Sequence, residues 1–313
     1  MKSTLVLLAA FLGTASGAFA ADTTAQTDTV NGLVYTITAS EATLVGPANP
    51  EEFAGSGSTR TTLTIPNEVN GVKVTTIAPN AFKDATGISR VVFPSELHDI
   101  GASAFQGCTG LKSLDFPEHL RQIEESAFQG CSSLVNLMTN SNLELLGQNA
   151  FADCIDLKSL VLLAPHTVST GAFSGCKSLE SVTLAVAVAT LEPDSFKDCT
   201  ALKDLYMVQG KTSTPTVTGA FTGVPDRSIK VHASPGMTAV QQDAWKQWAQ
   251  NNSAFMTDID FQTVTGIDGV ESDQTSGRTV YYTIDGAPVS GEPTAPGCYV
   301  KVTGNTVTKV LVR

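Results

Sequence analysis

The thiols and imidazoles of this chain are six cysteines and four histidines, and their spacing decides what chemistry they can do. Cys108, Cys131, Cys154, Cys176 and Cys199 recur at a near-fixed interval, while Cys298 stands apart. Six cysteines in an exported chain would ordinarily suggest disulfides. Equivalent positions in successive turns of a coil lie roughly 4.8 Å apart on a strand side, and a disulfide needs Cα atoms about 4.4–6.8 Å apart. Distance therefore permits a bridge, but direction opposes it, because stacked equivalent side chains run parallel. The reading is a ladder of buried free thiols acting as small hydrophobes, with one or two bridges as the alternative. No Cys-x-x-Cys pair or histidine cluster accompanies them, so metal binding is not expected.

The histidines do not assemble a site either. His98 and His166 each lie seven residues before a recurring phenylalanine, but three turns apart, roughly 14 Å. His119 sits at a different offset and His232 further on, and all four are expected on exposed convex loops. No Gly-x-Ser-x-Gly elbow, phosphate-cradling loop or EF-hand spacing occurs. Asp268-Gly269-Val270-Glu271-Ser272-Asp273 offers carboxylates for calcium without alternating ligands, and reads as a linker. No catalytic residue, metal or cofactor is expected.

What positions the thiols is a repeat. Phe82, Phe105, Phe128, Phe151, Phe173, Phe196 and Phe221, each preceded by Ala or Ser, follow one another at 23, 23, 23, 22, 23 and 25 residues. Each ladder cysteine comes three residues after one of them. A period in the low twenties marks a solenoid whose turns pack only on their neighbours. Within one turn, Leu111, Leu114 and Phe116 carry the spacing L-x-x-L-x-L. Later turns repeat it as Leu134/Leu137/Thr139, Leu157/Leu160/Leu162, Leu179/Val182/Leu184 and Leu202/Leu205/Met207. Alternation over Leu114–Phe116 predicts a short strand, with Leu114 and Phe116 inward and Ser113 and Asp115 outward. Gly107, Gly130 and Gly175, with Asp153 and Asp198, sit where the chain must turn sharply before the cysteine.

This pattern resembles the BspA-type leucine-rich repeat, I-x-x-x-A-F-x-x-C-x-x-L-x-x-L-x-[LIF]-P, over about residues 61–225. Ala85 replaces cysteine in the first unit, Val224 in the last, and the unit ending at Phe173 is one residue short. The resemblance implies a β-rich α/β repeat, a right-handed leucine-rich-repeat solenoid. It also implies a non-enzymatic surface protein that adheres to host or bacterial extracellular proteins. Residues 229–250, with Trp245 and Trp248 on one helical face, resemble the closing unit of that family, with a helix near 237–250.

The ends read differently. Lys2, the apolar run Leu5–Leu12 and Ala18-Phe19-Ala20 form a signal peptide over 1–20, cleaved after Ala20, which places the protein outside the cell or on its surface. Residues 21–60 are expected to form a β cap, with a hairpin of Leu33–Ile37 and Ala42–Val45 and a loop from Pro47 to Ser58. The solenoid is expected over 61–260. Residues 263–313 carry hairpin signals at Asp285-Gly286 and Gly304-Asn305, and read as a small C-terminal antiparallel β unit. Their ending is also similar to the sorting tails of type IX secretion, which implies possible surface attachment. No later segment has ~18 consecutive apolar residues, so no transmembrane segment is expected. The net charge of -11 argues against nucleic acid and anionic membranes as partners.

The candidate contact surface is the outward strand row, concave in such coils. It comprises Arg90/Val92, Ser113/Asp115, Asn136/Met138, Ser159/Val161, Ser181/Thr183 and Asp204/Tyr206, with Lys112, Lys158, Glu180 and Lys203 beside it. Small polar and aliphatic groups with three lysines suit a protein partner. Glycan capture is the alternative, limited by a single outward ring, Tyr206; a purely structural envelope protein is the other.

Overall fold

The protein is described here by a computed structural model. It describes residues 26–54, 62–164, 166–185, 187–207, 213–233, 237–261, 279–283, 288–289, 292–294, 297–303 and 306–312. The signal-peptide stretch, the acidic segment 268–273 and both C-terminal turn dipeptides lie outside the described residues.

The repeats wind into a β-solenoid of about 7 turns. One face is a parallel sheet of Asn136–Met138, Ser159–Leu162, Ser181–Leu184, Asp204–Met207, Ile229–Ala233 and Met256–Phe261, in that order. Single bridges Arg90 to Ser113 and Ser113 to Asn136 continue it backwards to the paired strands Thr62–Thr64 and Arg90–Val92. The turn at 111–116 contributes only these two bridges, both at Ser113, so the strand expected over Leu114–Phe116 does not form. Phe93 and Phe116 stand there at the inward position that later turns fill with Leu162, Leu184 and Met207. Their rings contact each other at 5.9 Å and reach Phe105 and Phe128.

A second row of two-residue strands, including Asp99–Ile100, Gln122–Ile123 and Leu145–Leu146, runs along another side of the coil. The Ala/Ser-Phe segment closes each turn. Its backbone bonds the next turn directly, as from Phe105 N–H to the Ala127 carbonyl (2.7 Å) and Phe128 N–H to Ala150 (2.8 Å). Two residues per turn adopt left-handed backbone, two before and two after the phenylalanine. Asn80, Ser103, Ser126, Asn149, Gly171 and Asp194 hold the first position, and Asp84, Gly107, Gly130, Asp153, Gly175 and Asp198 the second. These are the small polar residues and glycines that tolerate positive φ. Gly175 also has a packing reason, since an added Cβ would run into the Asp153 carboxylate of the previous turn.

Inside, the phenylalanines form one column. Phe82, Phe105, Phe128, Phe151, Phe173, Phe196 and Phe221 stack with centroids between 5.1 and 5.7 Å and planes within 15° of parallel. Near-parallel rings at that spacing are held by apolar burial on both faces. Phe53 meets the first ring edge-on at 5.8 Å, and Phe255 tilts against the last at 6.0 Å. Phe53 belongs to a 3-10 turn, Pro50–Phe53, capped by the Asn49 side chain and fully buried, inside the stretch expected to be loop. The N-terminal strands Gln26–Val30, Leu33–Ile37 and Ala42–Pro47 pair antiparallel, and the third pairs in parallel with Val72–Ile77. At the other end the helix Ala239–Asn251 starts from a Thr238/Gln241 capping box and buries Trp245 and Trp248. Trp248 Nε1 donates to the Pro215 carbonyl at 2.8 Å. Further on, Thr279–Thr283 pairs antiparallel with Pro288–Val289 and Gly297–Thr303, which pairs with Thr306–Val312.

Candidate binding face

The five ladder cysteines are fully buried and unbridged. Each thiol lies against the carbonyl of the phenylalanine one turn earlier. Cys108 reaches Phe82 at 3.1 Å, Cys131 Phe105 at 3.4 Å, Cys154 Phe128 at 3.5 Å, Cys176 Phe151 at 3.3 Å and Cys199 Phe173 at 3.2 Å. The S–H thus serves as a weak donor to a buried acceptor, which a valine or alanine could not do. Burial pushes the thiols of Cys108 and Cys199 up to about 12 and the other three well above their ordinary value. Native protein at pH 8 should therefore leave these five thiols unmodified by an aromatic disulfide reagent, and all five should react once denatured. The sign of the linkage follows. The unfolded thiols ionise near 9 and the folded ones do not, so stability falls as pH rises from about 9 towards 12.

The strand row divides along its length. Arg90, Lys112, Asp115, Asn136, Lys158, Glu180 and Lys203 are exposed, and Asp204 and Tyr206 are half-buried. Lys203 Nζ lies 3.8 Å from Glu180, with both side chains more than half exposed, so the pair contributes little to stability. The centre of the row is closed: Met138, Ser159, Val161 and Thr183 are buried, so these four are not the open surface the alternation suggests. Ser159 Oγ bonds the Asn136 side chain at 2.6 Å.

At the last turns the row gains a residue that its spacing hid. His232 sits outward on Ile229–Ala233, not on a convex loop, because Tyr206 and His232 are paired across the sheet. Its Nε2 lies 2.7 Å from Asp204 Oδ1, and its ring stacks on Tyr206 at 4.3 Å and 12°. Lys230 and Asp260 pair beside them at 3.4 Å. Away from this face, His98 and His119 stand in adjacent turns with rings 6.5 Å apart, a juxtaposition that comparing His98 with His166 missed. His119 also borders an open cleft of about 300 Å³ with Glu118, Arg121, Asn142 and Glu144. Buried Asn140 crosslinks two turns, donating to the Pro117, Glu118 and Leu120 carbonyls, where the repeat's proline is missing. Among the described residues no three His, Cys, Asp or Glu side chains group to hold a metal, and no helix is long and apolar enough to cross a membrane.

A family model described as BspA type Leucine rich repeat region matches the chain in 6 copies, over residues 51–169 and 75–203. Similar solved structures include a leucine-rich-repeat protein of T. pallidum, 24% identical over 70% of this chain and 94% of that one, TM-score 0.49. The pneumococcal vaccine antigen PcpA is 18% identical over 76% of this chain and 48% of its own, TM-score 0.49. A leucine-rich repeat protein from Bacteroides ovatus is 17% identical over 74% of this chain and 76% of its own, TM-score 0.39. No curated protein matches the chain. Through its repeat region, with its Ala/Ser-Phe turns and thiol ladder, the chain belongs to the BspA-type leucine-rich-repeat proteins.

Proposed function

We propose that the protein is exported, held at the cell surface, and adheres to an extracellular protein of a host or of neighbouring bacteria. The observation that carries this reading is the run of exposed charges of both signs along successive turns, Arg90, Lys112, Asp115, Lys158, Glu180 and Lys203, with the polar Asn136 among them. A row of this kind offers polar complementarity over a long footprint without a deep pocket, as solenoid surfaces do. The apolar run Leu5–Leu12 before Ala18-Phe19-Ala20 supports export with cleavage after Ala20. The domain plan that goes with it is a β cap over 21–60, a solenoid over 61–260 and a β unit or sorting tail over 263–313. Parallel strands joined by crossovers favour a right-handed coil.

Glycan capture is the second reading. Tyr206 was its one outward aromatic ring, and the His232 ring already occupies one face of it at 4.3 Å. Stacking on a sugar would be confined to the other face, which ranks this reading lower.

The test is a binding panel of residues 21–313 on immobilised matrix proteins and on polysaccharides at two salt concentrations. Saturable binding to a protein that weakens at high salt is the expected result. Lys112→Glu, Lys158→Glu and Lys203→Glu together should then lower affinity by about tenfold or more, chiefly in the association rate. Binding to polysaccharide alone, abolished by Tyr206→Ala and indifferent to the lysines, would replace this reading with glycan capture. Self-association with no soluble ligand would leave a structural envelope role.

A further inference from the structure

Arg227 sits in a backbone conformation that does not suit it. Among the described residues, eleven other than glycine adopt left-handed backbone, and ten of them are asparagine, aspartate or serine, small polar types that tolerate it. The eleventh is Arg227, at φ 51°. A long side chain there costs free energy that asparagine or glycine would not. The turn itself is set by its neighbours: the Arg227 N–H donates to the Ala254 carbonyl at 2.9 Å, and the Ile229 N–H to that of Phe255 at 2.9 Å. The fold thus explains the backbone of residue 227 and leaves its side chain to be explained by what it reaches.

It lines an open groove of about 310 Å³ at the end of the coil, beside residues of the helix Ala239–Asn251 and the strand Met256–Phe261. Arg227 and Lys246 bring two cations to this groove, and among the described residues no carboxylate lines it. On a chain with 30 Asp and Glu against 19 Lys and Arg, that is a local reversal of sign. The cleft beside His119, by contrast, sets Glu118 and Glu144 against Arg121. Lys246 is partly neutralised by Asp243 at 3.1 Å and lies 5.7 Å from the Phe261 ring centroid. The Arg227 guanidinium has no ion-pair partner among the described residues. The helix ends nearby, but its Trp248, Ala249 and Gln250 carbonyls accept from the Asn252 N–H, which tempers its negative end.

The rest of the lining selects among anions. Ala249, Met256 and Ile259 form an apolar floor, and Gln250, Ser253 and Thr257 add an amide and two hydroxyls. A phosphate ion has no use for such a floor, and an acidic side chain brings nothing for the amide and hydroxyls to bond. A sugar ring that carries a carboxylate uses all three. Its carboxylate meets the planar fork of Arg227, its hydroxyls the polar groups, and its C–H face the floor. The volume lies at the lower end of small-molecule sites, enough for a single ring.

We propose that this groove binds a uronate residue of an acidic polysaccharide, with Arg227 as the principal ligand of its carboxylate. Its lining shares no residue with the strand row, so the site stands whatever the row binds.

Calorimetric titration with trigalacturonate tests it, with maltotriose as the neutral control. Trigalacturonate should bind saturably and more weakly as salt is added, and maltotriose should not bind. Arg227→Asn should weaken trigalacturonate binding by about tenfold or more. Its urea midpoint should stay at or above that of the parent, because asparagine suits left-handed backbone. An arginine with a purely structural role cannot give that pair of results. Absence of trigalacturonate binding overturns the proposal, as does parent-like binding in Arg227→Asn. Displacement of trigalacturonate by an equal concentration of inorganic phosphate or of a triglutamate peptide also overturns it, by reducing the groove to a general anion site. Binding that survives Arg227→Asn and is lost when Lys112, Lys158 and Lys203 are replaced by alanine would overturn it by placing the sugar on the strand row.

Discussion

Phe128→Ala should cost about 3–5 kcal/mol, because it empties the middle of the ring column. Phe128 is fully buried between Phe105 at 5.2 Å and Phe151 at 5.1 Å, and Phe116 meets it edge-on at 5.8 Å. The neighbouring rings are fixed by their own backbone bonds to adjacent turns, so they cannot close into the space. Turns couple only to their neighbours, so the loss should fall on the contact between two halves of the array. Urea unfolding followed by circular dichroism is expected to show an earlier midpoint and a broadened or two-step transition. Removing the same ring at the end of the column, Phe221→Ala, should move the midpoint without splitting the transition. An unchanged midpoint for Phe128→Ala would mean that the column is not what holds the turns together.

Trp245→Ala should be as damaging, again about 3–5 kcal/mol, at the end of the coil. A terminal turn has an apolar face with no following turn to cover it, and the helix Ala239–Asn251 supplies the cover. Trp245 is fully buried, and its ring meets Trp248 edge-on at 5.1 Å. Val240 on the same helix is 80% exposed, so Val240→Ala leaves the cover intact and should change the midpoint by less than about 0.5 kcal/mol. Both substitutions introduce alanine, which favours the helix, so the comparison isolates the loss of packing. Equal effects of the two substitutions would refute the capping role of Trp245.

The column and the thiol ladder were legible because every turn must put an apolar group of one size at one place, which imposes a period on the sequence. The paired left-handed positions were half legible. The glycines and aspartates after each phenylalanine stood out, while Asn80, Ser103, Ser126 and Asn149 before it passed as ordinary polar residues. Phe53 was hidden because it lies off the beat, in a segment whose Gly, Pro and Ser content reads as loop. His232 was hidden for a related reason: the turns that bring it beside Asp204 no longer keep the period, so the register had to be seen. Alternation along a strand tells which way Val161 points and nothing of what lies above it. The open and closed parts of the face were therefore beyond the reach of pattern alone.

The ring column also sets the step of the coil. Its first three steps measure 5.3, 5.2 and 5.1 Å, and its last three 5.6, 5.6 and 5.7 Å. Neighbouring strands of a sheet lie about 4.8 Å apart, so the ring-to-ring step exceeds that spacing by more towards Phe221 than towards Phe82. A partner with one fixed repeat matches one half of the array better than the other, and an extended or flexible partner adapts to both.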